Sequence, residues 1–186
     1  MTDRLLSLRA WLDLRRRAPV DEREAAAIVR FDDALAHLAR PFDQDADPTH
    51  VTSSAIVVGP AGVLLLRHKR LGIWVQPGGH LEPDEDLAAA GLREAVEETG
   101  LDLSHPADGA RLVHVDVHPG GRGHTHLDVR WLLAGDGVPA PPPGESPDVA
   151  WFGWEAAIER ADPGLAGALR ALCPPGPLPS PPAARA

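Results

Sequence analysis

Apolar residues near the start of the chain recur every three or four positions, which is the pattern of amphipathic helices. The pattern occurs in two stretches that stop before Pro19 and Pro41. Because proline cannot continue a helix, we predict two antiparallel helices within residues 1–48. The apolar stripes consist of Leu5, Leu8, Trp11 and Leu12 in the first stretch and of Ala27, Phe31, Leu35 and Leu38 in the second.

These two stripes need a partner surface, because a two-helix hairpin of this length cannot bury them by itself. We expect the hairpin to cover one side of the following domain or to form the interface of a homodimer. A lid over the substrate is the alternative interpretation. The sequence does not separate them.

Short apolar runs follow from residue 52 onwards and predict β-strands. A Gly-Pro-Ala-Gly turn separates the first two runs, and a Gly-rich loop separates a later pair, so both pairs indicate hairpins. The predicted strands are residues 52–58, 63–66, 112–118, 126–133 and 148–152, and the predicted C-terminal helices are residues 154–160 and 165–172.

The chain of 186 residues is long enough for one domain with an extension. We expect a helical extension in residues 1–48 and an α/β domain in residues 49–173. Proline is so frequent in residues 174–186 that we predict a disordered tail there.

The stretch from residue 74 to residue 101 reads WVQPGGHLEPDEDLAAAGLREAVEETGL and contains the clearest helix. Asp84 is the predicted N-cap of a helix from Glu85 to Thr99, and Gly100 is its predicted stop. One face of this helix is apolar and is predicted to face the core, whereas nearly the opposite face is acidic. The apolar face holds Ala88, Leu92, Ala95, Val96 and Thr99, and the acidic face holds Glu94, Glu97 and Glu98.

Three carboxylates on one helix face repel one another, so their clustering requires a cationic partner. Arg93 can reach Glu97 four positions later, but one guanidinium does not neutralise three acids. Hard divalent cations such as Mg²⁺ take oxygen ligands of this kind. The acidic face therefore predicts a site for a divalent cation.

The spacing within this stretch distinguishes it from a solvated helix that is merely rich in glutamate. The fixed positions are Gly79, Glu85 after five residues, Arg93-Glu94 after seven more, the apolar Ala95, Glu97-Glu98 after one residue, Gly100 after another, and the apolar Leu101. This spacing resembles a complete Nudix box, the motif of the Nudix hydrolases. The segment HTHLDVR at residues 124–130 is similar to one in bacterial Nudix proteins that carry an N-terminal helical extension.

The resemblance implies an α/β/α sandwich with a mixed sheet, preceded by the helical hairpin. It also implies hydrolysis of a pyrophosphate bond in a nucleoside diphosphate linked to another group, with Mg²⁺ or Mn²⁺ as cofactor. By match to the box, Glu94 and Glu98 would be direct metal ligands. Glu97 would bind a further ion, and the Gly78 carbonyl would be another ligand. The residues implied to support them are Arg93, which would orient a carboxylate, Gly79 and Glu85.

The family often places a further acid in the loop before a Trp-Phe strand. Here the loop Pro-Gly-Glu-Ser-Pro-Asp offers Glu145 and Asp148 ahead of that strand. We expect Glu145 to be the general base, because its longer side chain lies in a loop made mobile by glycine and proline. A solvated loop acid is the alternative.

Basic and imidazole side chains elsewhere are candidates for contacts with the substrate. Arg67 begins the cationic run Arg-His-Lys-Arg, which either meets phosphates or forms a solvated turn. We expect neutral imidazoles and Asp128 to shape the leaving-group pocket. A zinc site made by His118, His124 and His126 is an alternative, as is a plain surface hairpin. The candidate substrate-binding residues are Arg67, His80, His118, His126 and Asp128.

The composition of the chain restricts the classes of molecule that it is expected to bind. A formal charge of −9 argues against a surface that follows a nucleic-acid polymer and favours a small nucleotide-type substrate. The single cysteine, Cys173, forms no internal disulfide, and no apolar run approaches the length of a membrane span. We therefore expect a cytoplasmic protein without membrane contact.

Two other functions compete with hydrolysis. One is a catalytically silent Nudix-like module that binds a ligand or regulates, although the intact box argues against it. The other is an isopentenyl diphosphate isomerase, which resembles this fold but relies on a catalytic cysteine. Cys173, at the edge of the Pro-rich tail, is badly placed for that role.

Overall fold

The computed structural model describes residues 2–174, which form five α-helices and eight strands. The helices are α1 (Thr2–Arg17), α2 (Glu22–His37), α3 (Leu87–Thr99), α4 (Trp154–Arg160) and α5 (Pro163–Leu172). The strands are β1 (Thr49–Gly59), β2 (Gly62–Arg67), β3 (Trp74–Val75), β4 (Gly78–His80), β5 (Leu103–Ser104), β6 (Leu112–Pro119), β7 (Thr125–Gly135) and β8 (Val149–Phe152).

The eight strands belong to one mixed sheet, as the family resemblance implies. Its central path runs β3-β2-β1-β7-β5, while β4, β6 and β8 pair with β1, β7 and β2 respectively. The strands β1 and β7 run parallel over most of their length, from Thr49 opposite Thr125 to Val58 opposite Ala134. The other pairings are antiparallel.

Helices cover both faces of the sheet, which confirms the α/β/α sandwich. Alternate residues of β1 point to opposite faces, because successive side chains of a strand alternate. Ala55 and Val57 pack in one cluster with Ala95 of α3. Ile56 packs in another cluster with Leu165 and Leu169 of α5.

The N-terminal hairpin of α1 and α2 lies on the same core as α3. Leu8, Leu12 and Phe31 are fully buried there, in a cluster that includes Val115 and Trp131 of the sheet. The hairpin therefore covers one side of the domain, which was one of the interpretations left open. A homodimer stays a prediction.

Two details of α3 differ from the prediction. The N-cap is Asp86, whose carboxylate accepts hydrogen bonds from the N–H groups of Ala88 and Ala89 at 2.9 and 3.1 Å. Asp84 lies earlier, in a turn with φ of +60°, so it cannot cap the helix. Val96 is exposed rather than buried, because small residues face the sheet. The buried residues of the helix are Leu87, Ala88, Ala90, Gly91, Ala95 and Thr99.

Between residues 2 and 174, no helix has both the length and the apolar character needed to cross a membrane. The predicted disordered tail lies outside the described residues except for Pro174. The division into an extension, a domain and a tail stays a prediction.

Candidate active site

Close contact between α3 and the sheet brings the acidic residues to the edge of strand β4. The contact depends on Gly91, where a Cβ atom would lie 2.8 Å from Cδ1 of Trp131 and 3.0 Å from the Ser53 hydroxyl. About one and two turns further along, Glu94 and Glu98 reach the Gly78-Gly79 backbone. These two carboxylates therefore lie at the junction of helix and strand and not on a face opposite to the core.

The two glycines of β4 leave room for these carboxylates. Gly78 has φ of +154°, and a Cβ atom there would lie 2.3 Å from Cβ of Ser54 on the neighbouring strand. A Cβ atom on Gly79 would lie 2.6 Å from the Glu94 carboxylate. The N–H of Gly78 donates a hydrogen bond of 2.8 Å to Glu98. Larger residues at either position would displace an acid or the strand.

Arg93 holds the remaining acids of the motif in place. Its guanidinium donates two hydrogen bonds to Glu85, at 2.8 and 3.0 Å, which is a bidentate pair. The same group reaches Glu94 at 3.0 Å, Glu97 at 3.1 Å and the backbone carbonyl of His80 at 3.0 Å. One side chain thus joins the loop before α3, two turns of the helix and strand β4.

Electrostatics divide the glutamates into two kinds. Burial, together with the charges of Glu94 and Glu145, raises the pKa of Glu98 to about 7. Burial also raises the pKa of Glu94, against the opposing effect of Arg93. The hydrogen bonds from Arg93 instead lower the pKa of Glu85. Burial thus disfavours the ionised forms of Glu94 and Glu98, whereas Arg93 favours the ionised form of Glu85.

This donor set fits a hard divalent cation. Burial raises the pKa values of Glu94 and Glu98 even though Arg93 contacts Glu94, and a bound cation would favour the ionised form of both carboxylates. Glu94 and Glu98 lie beside the Gly78-Gly79 turn, and the more exposed Glu97 is tied to Arg93 on the same surface. These carboxylates offer oxygen donors, which are the ligands that Mg²⁺ and Mn²⁺ prefer.

The predicted general base lies in the loop between β7 and β8. Glu145 is 3.5 Å from Lys69, whose ammonium group also donates to the Gly144 carbonyl. The Ser146 hydroxyl bonds the Arg67 carbonyl at 2.7 Å and ties the loop to the end of β2. The charge of Glu145 also contributes to the raised pKa of Glu98.

Arg67 itself lies at the rim, half exposed. Its guanidinium is 3.8 Å from the Asp148 carboxylate and donates to the Gly72 carbonyl at 3.2 Å. Neither contact is bidentate, which leaves the guanidinium with further donors. The role in substrate binding stays a prediction.

A second polar group lies on the sheet beside β4 and centres on Asp128. This buried carboxylate accepts hydrogen bonds from Thr52 at 3.1 Å, Ser54 at 2.8 Å, Gln76 at 3.2 Å and Arg130 at 2.9 Å. Burial alone raises the pKa of Asp128, but contacts with His118 and Arg130 outweigh it and hold the pKa well below its ordinary value. Asp128 is thus engaged by its own chain and organises the residues around it.

Histidines border this network on the side of the β6–β7 loop. His118 lies 3.9 Å from Asp128, and although burial lowers its pKa, that contact raises it above the ordinary value. Burial and the neighbouring His118 lower the pKa of His126 to about 4. Burial and the neighbouring His50 lower the pKa of His80. His80 and His126 are therefore neutral imidazoles at neutral pH.

The structure brings in residues that the sequence analysis did not single out. Thr52, Ser54 and Gln76 bind Asp128, and His50 joins the histidines. The signal that would have identified them is the parallel register of β1 on β7, which pairs Thr52 with Asp128 and His50 with His126. That register is set by tertiary structure, so nothing in the local sequence around Thr52 or His50 indicates these pairings.

Segments of this chain are similar in sequence to segments of curated proteins. A zebrafish (Danio rerio) m7GpppN-mRNA hydrolase, NUDT17, is 41% identical over 70 residues, which are 31% of this chain and 23% of the relative. The phosphatase NudJ of Escherichia coli O1:K1 is 43% identical over 54 residues, 28% of this chain and 35% of NudJ. The chain thus spans only a quarter to a third of these curated relatives.

Solved structures cover more of the fold. A NUDIX-family hydrolase from Clostridium perfringens superposes with a TM-score of 0.56 and 26% identity, over 66% of this chain and 97% of that one. A C. elegans Ap4A hydrolase complex, with a TM-score of 0.55 and 22% identity over 66% of this chain and 93% of that one, shares the fold. The model of the NUDIX domain matches residues 48–172. The chain therefore belongs to the Nudix hydrolase family.

Proposed function

We propose that this protein hydrolyses a pyrophosphate bond in a nucleoside diphosphate linked to another group, with Mg²⁺ or Mn²⁺ as cofactor. The observation that carries the proposal is the pair of half-buried carboxylates, Glu94 and Glu98, against the Gly78-Gly79 turn. Family membership supports the same reaction.

The residues proposed to hold the ions are Glu94, Glu98, Glu97 and the Gly78 carbonyl. When bound, such ions lower the pKa of water and stabilise the charge that develops on a phosphate leaving group. Arg93 orients Glu94 and Glu97 through the contacts of its guanidinium, and Glu85 anchors Arg93 in turn.

In the proposed reaction a water oxygen forms a bond to one phosphorus, and the bond from that phosphorus to the bridging oxygen breaks. Glu145 takes a proton from the water, because its charge influences Glu98 while its own carboxylate pairs with Lys69 and is not one of the proposed ion ligands. Arg67 donates to a substrate phosphate, and His118 faces the leaving group, with Asp128 setting the position of His118.

The substrate is proposed to be a small nucleotide. The formal charge of −9 disfavours a polymer with a charged backbone, so a compact polyphosphate that is reached through cations fits better. The name of the zebrafish relative, an m7GpppN-mRNA hydrolase, supports a nucleotide-containing substrate. A single cysteine supports a further proposal, that the protein works in the reducing cytoplasm.

A substrate panel tests the proposal. The full-length protein is incubated with nucleoside triphosphates, sugar nucleotides, ADP-ribose and dinucleoside polyphosphates, and the release of phosphate, pyrophosphate or nucleoside monophosphate is measured. We expect turnover of at least one class with Mg²⁺ or Mn²⁺ and none in excess EDTA. Tight binding of a nucleotide without any turnover would instead identify a silent binding module.

A further inference from the structure

Three histidines gather at the end of the sheet where β1 and β7 begin, outside the acidic site. His50 and His126 lie on directly paired positions of these parallel strands, and His124 precedes β7 in the adjoining loop. One ring nitrogen from each of the three lies within 4.8 Å of the others. The histidine that completes the group with His124 and His126 is thus His50, and not the His118 of the zinc alternative drawn from the sequence.

The hydrogen bonding of His50 orients it as a metal ligand. Its Nδ1 lies 3.1 Å from the backbone carbonyl of Asp47, which can only accept, so Nδ1 carries the proton and Nε2 keeps a free lone pair. His50 is fully buried, and its Nε2 has no hydrogen-bond partner among residues 2–174. Ligating histidines commonly donate their other N–H to a backbone carbonyl in this way.

An unpartnered buried nitrogen costs free energy unless something binds it. The surrounding rings belong to His80, His124 and His126, with centroids 5.1, 5.1 and 5.3 Å from the His50 ring. Nε2 of His80 is likewise buried without a partner in the described part of the chain. Two neighbouring imidazoles therefore each carry an unsatisfied ring nitrogen.

We propose that His50, His124 and His126 form a binding site for Zn²⁺ that is separate from the acidic site for hard cations. Zinc takes three imidazoles and a fourth ligand in a tetrahedron, in which nitrogens at about 2.0–2.1 Å from the ion lie about 3.3 Å apart. His124 is half-buried in a loop, outside the strands, so a shift of its side chain would close this distance. Water or His80 completes the tetrahedron.

The two sites differ in chemistry. Neutral nitrogen donors select zinc and related transition metals, while the carboxylates of α3 select Mg²⁺ or Mn²⁺. They are also mechanically linked, because His80 ends strand β4 and its backbone carbonyl accepts the hydrogen bond from Arg93. Zinc would tie the ends of β1 and β7 to the β6–β7 loop beside the turn that carries Gly78 and Gly79.

Zinc binding to the full-length, chelator-stripped protein tests the proposal. Isothermal titration and elemental analysis after gel filtration in excess Mg²⁺ should give one zinc per chain with a Kd of about 1 μM or tighter, and Co²⁺ in its place should show the strong visible absorption of tetrahedral coordination. Because His50 is buried and its loss can unfold the chain, the variants are His124→Ala and His126→Ala. Each should weaken zinc binding about 100-fold or more.

Two matched controls accompany these variants. His118→Ala removes a neighbouring imidazole that faces Asp128, and His37→Ala removes an exposed one on α2; both should keep full zinc affinity. Glu98→Gln should also keep it, so the zinc result is independent of whether hydrolysis is found. No stoichiometric zinc at micromolar concentrations, or equal binding by His124→Ala, would overturn the site.

Discussion

The carboxylate of Glu98 accepts a hydrogen bond of 2.8 Å from the backbone N–H of Gly78, the residue whose carbonyl is a proposed ion ligand. This contact joins the C-terminal half of α3 to strand β4. The Glu98 carboxylate therefore lies directly against the backbone of Gly78. Burial there raises the pKa of Glu98 to about 7, and the charge of Glu94 adds to the effect.

We expect Glu98→Gln to lower kcat on the order of 10³-fold or more while the domain stays folded. The amide oxygen can still accept from the Gly78 N–H, but the negative charge that would hold a cation is lost. Steady-state kinetics in Mg²⁺ measure the effect, with Glu155→Gln on α4 as a matched surface control. Full activity of the wild type in excess EDTA would contradict the underlying assignment.

The raised pKa of Glu98 makes the stability of the metal-free protein depend on pH. The pKa of Glu98 is about 7 in the folded chain, whereas in the unfolded chain it has its ordinary value of 4.5. The folded state therefore binds this proton more tightly. The stability contribution of Glu98 is therefore fully present below pH about 4.5 and is lost as pH rises through about 7. Between these values the Tm of the metal-free wild type should fall relative to that of Glu98→Gln.

The difference in Tm between the wild type and Glu98→Gln isolates the contribution of Glu98, because the other titratable groups are the same in both proteins. Thermal unfolding in a chelating buffer at pH 5, 6, 7 and 8 gives the difference in Tm. Saturating Mg²⁺ should abolish the decline in the wild type, since cation binding favours the ionised carboxylate. A constant difference in Tm across this range would show that Glu98 keeps an ordinary pKa.

Glu145→Gln should lower kcat about 10²- to 10⁴-fold and leave affinity for Mg²⁺ unchanged, as expected of a general base. It should also remove the acidic limb of the pH–rate profile. Asp148→Asn is the matched control, because Asp148 lies in the same loop but pairs with Arg67. If Glu145→Gln turns over within a factor of three of the wild type with an unchanged profile, another group accepts the proton.

Glu24→Gln should destabilise the whole domain, because this fully buried carboxylate joins the hairpin to the sheet. One of its oxygens accepts from Arg15 and from the Val115 N–H, at 2.8 and 3.1 Å. The other accepts from Arg15 and from the Val20 N–H, both at 2.7 Å. In Glu24→Gln, one of these two acceptor oxygens is replaced by an NH₂ group. Whichever way the amide is turned, that NH₂ group faces N–H donors and cannot accept their hydrogen bonds.

We expect a loss of about 3–5 kcal/mol in the free energy of unfolding, the range for breaking a buried ion pair by removing one partner. Urea denaturation measures the loss. Glu22→Gln, an exposed glutamate on the same helix, is the control and should change stability by less than about 0.5 kcal/mol. Equal midpoints for the two variants would mean that the hairpin is not anchored through Glu24.

Local sequence was sufficient wherever the information lies within one element. The apolar stripes predicted α1 and α2, because a period of 3.6 residues marks a buried helix face without reference to any partner. The spacing from Gly79 to Leu101 likewise placed the acids on α3 and pointed to the family. The predicted start of the helix was wrong, because Asp84 and Asp86 are both acceptable N-caps in sequence. The turn at Asp84 makes Asp86 the N-cap.

Only tertiary structure decided where each side chain meets its partners. The acids were expected on a face turned away from the core, yet the close approach at Gly91 turns Glu94 and Glu98 toward β4. Likewise, His50 meets His126 because two strands from distant parts of the chain pair in parallel, in a register that also sets Thr52 beside Asp128, 76 positions away. A residue's own neighbours in sequence carry no trace of such a pairing, because it is selected by the packing of the whole sheet.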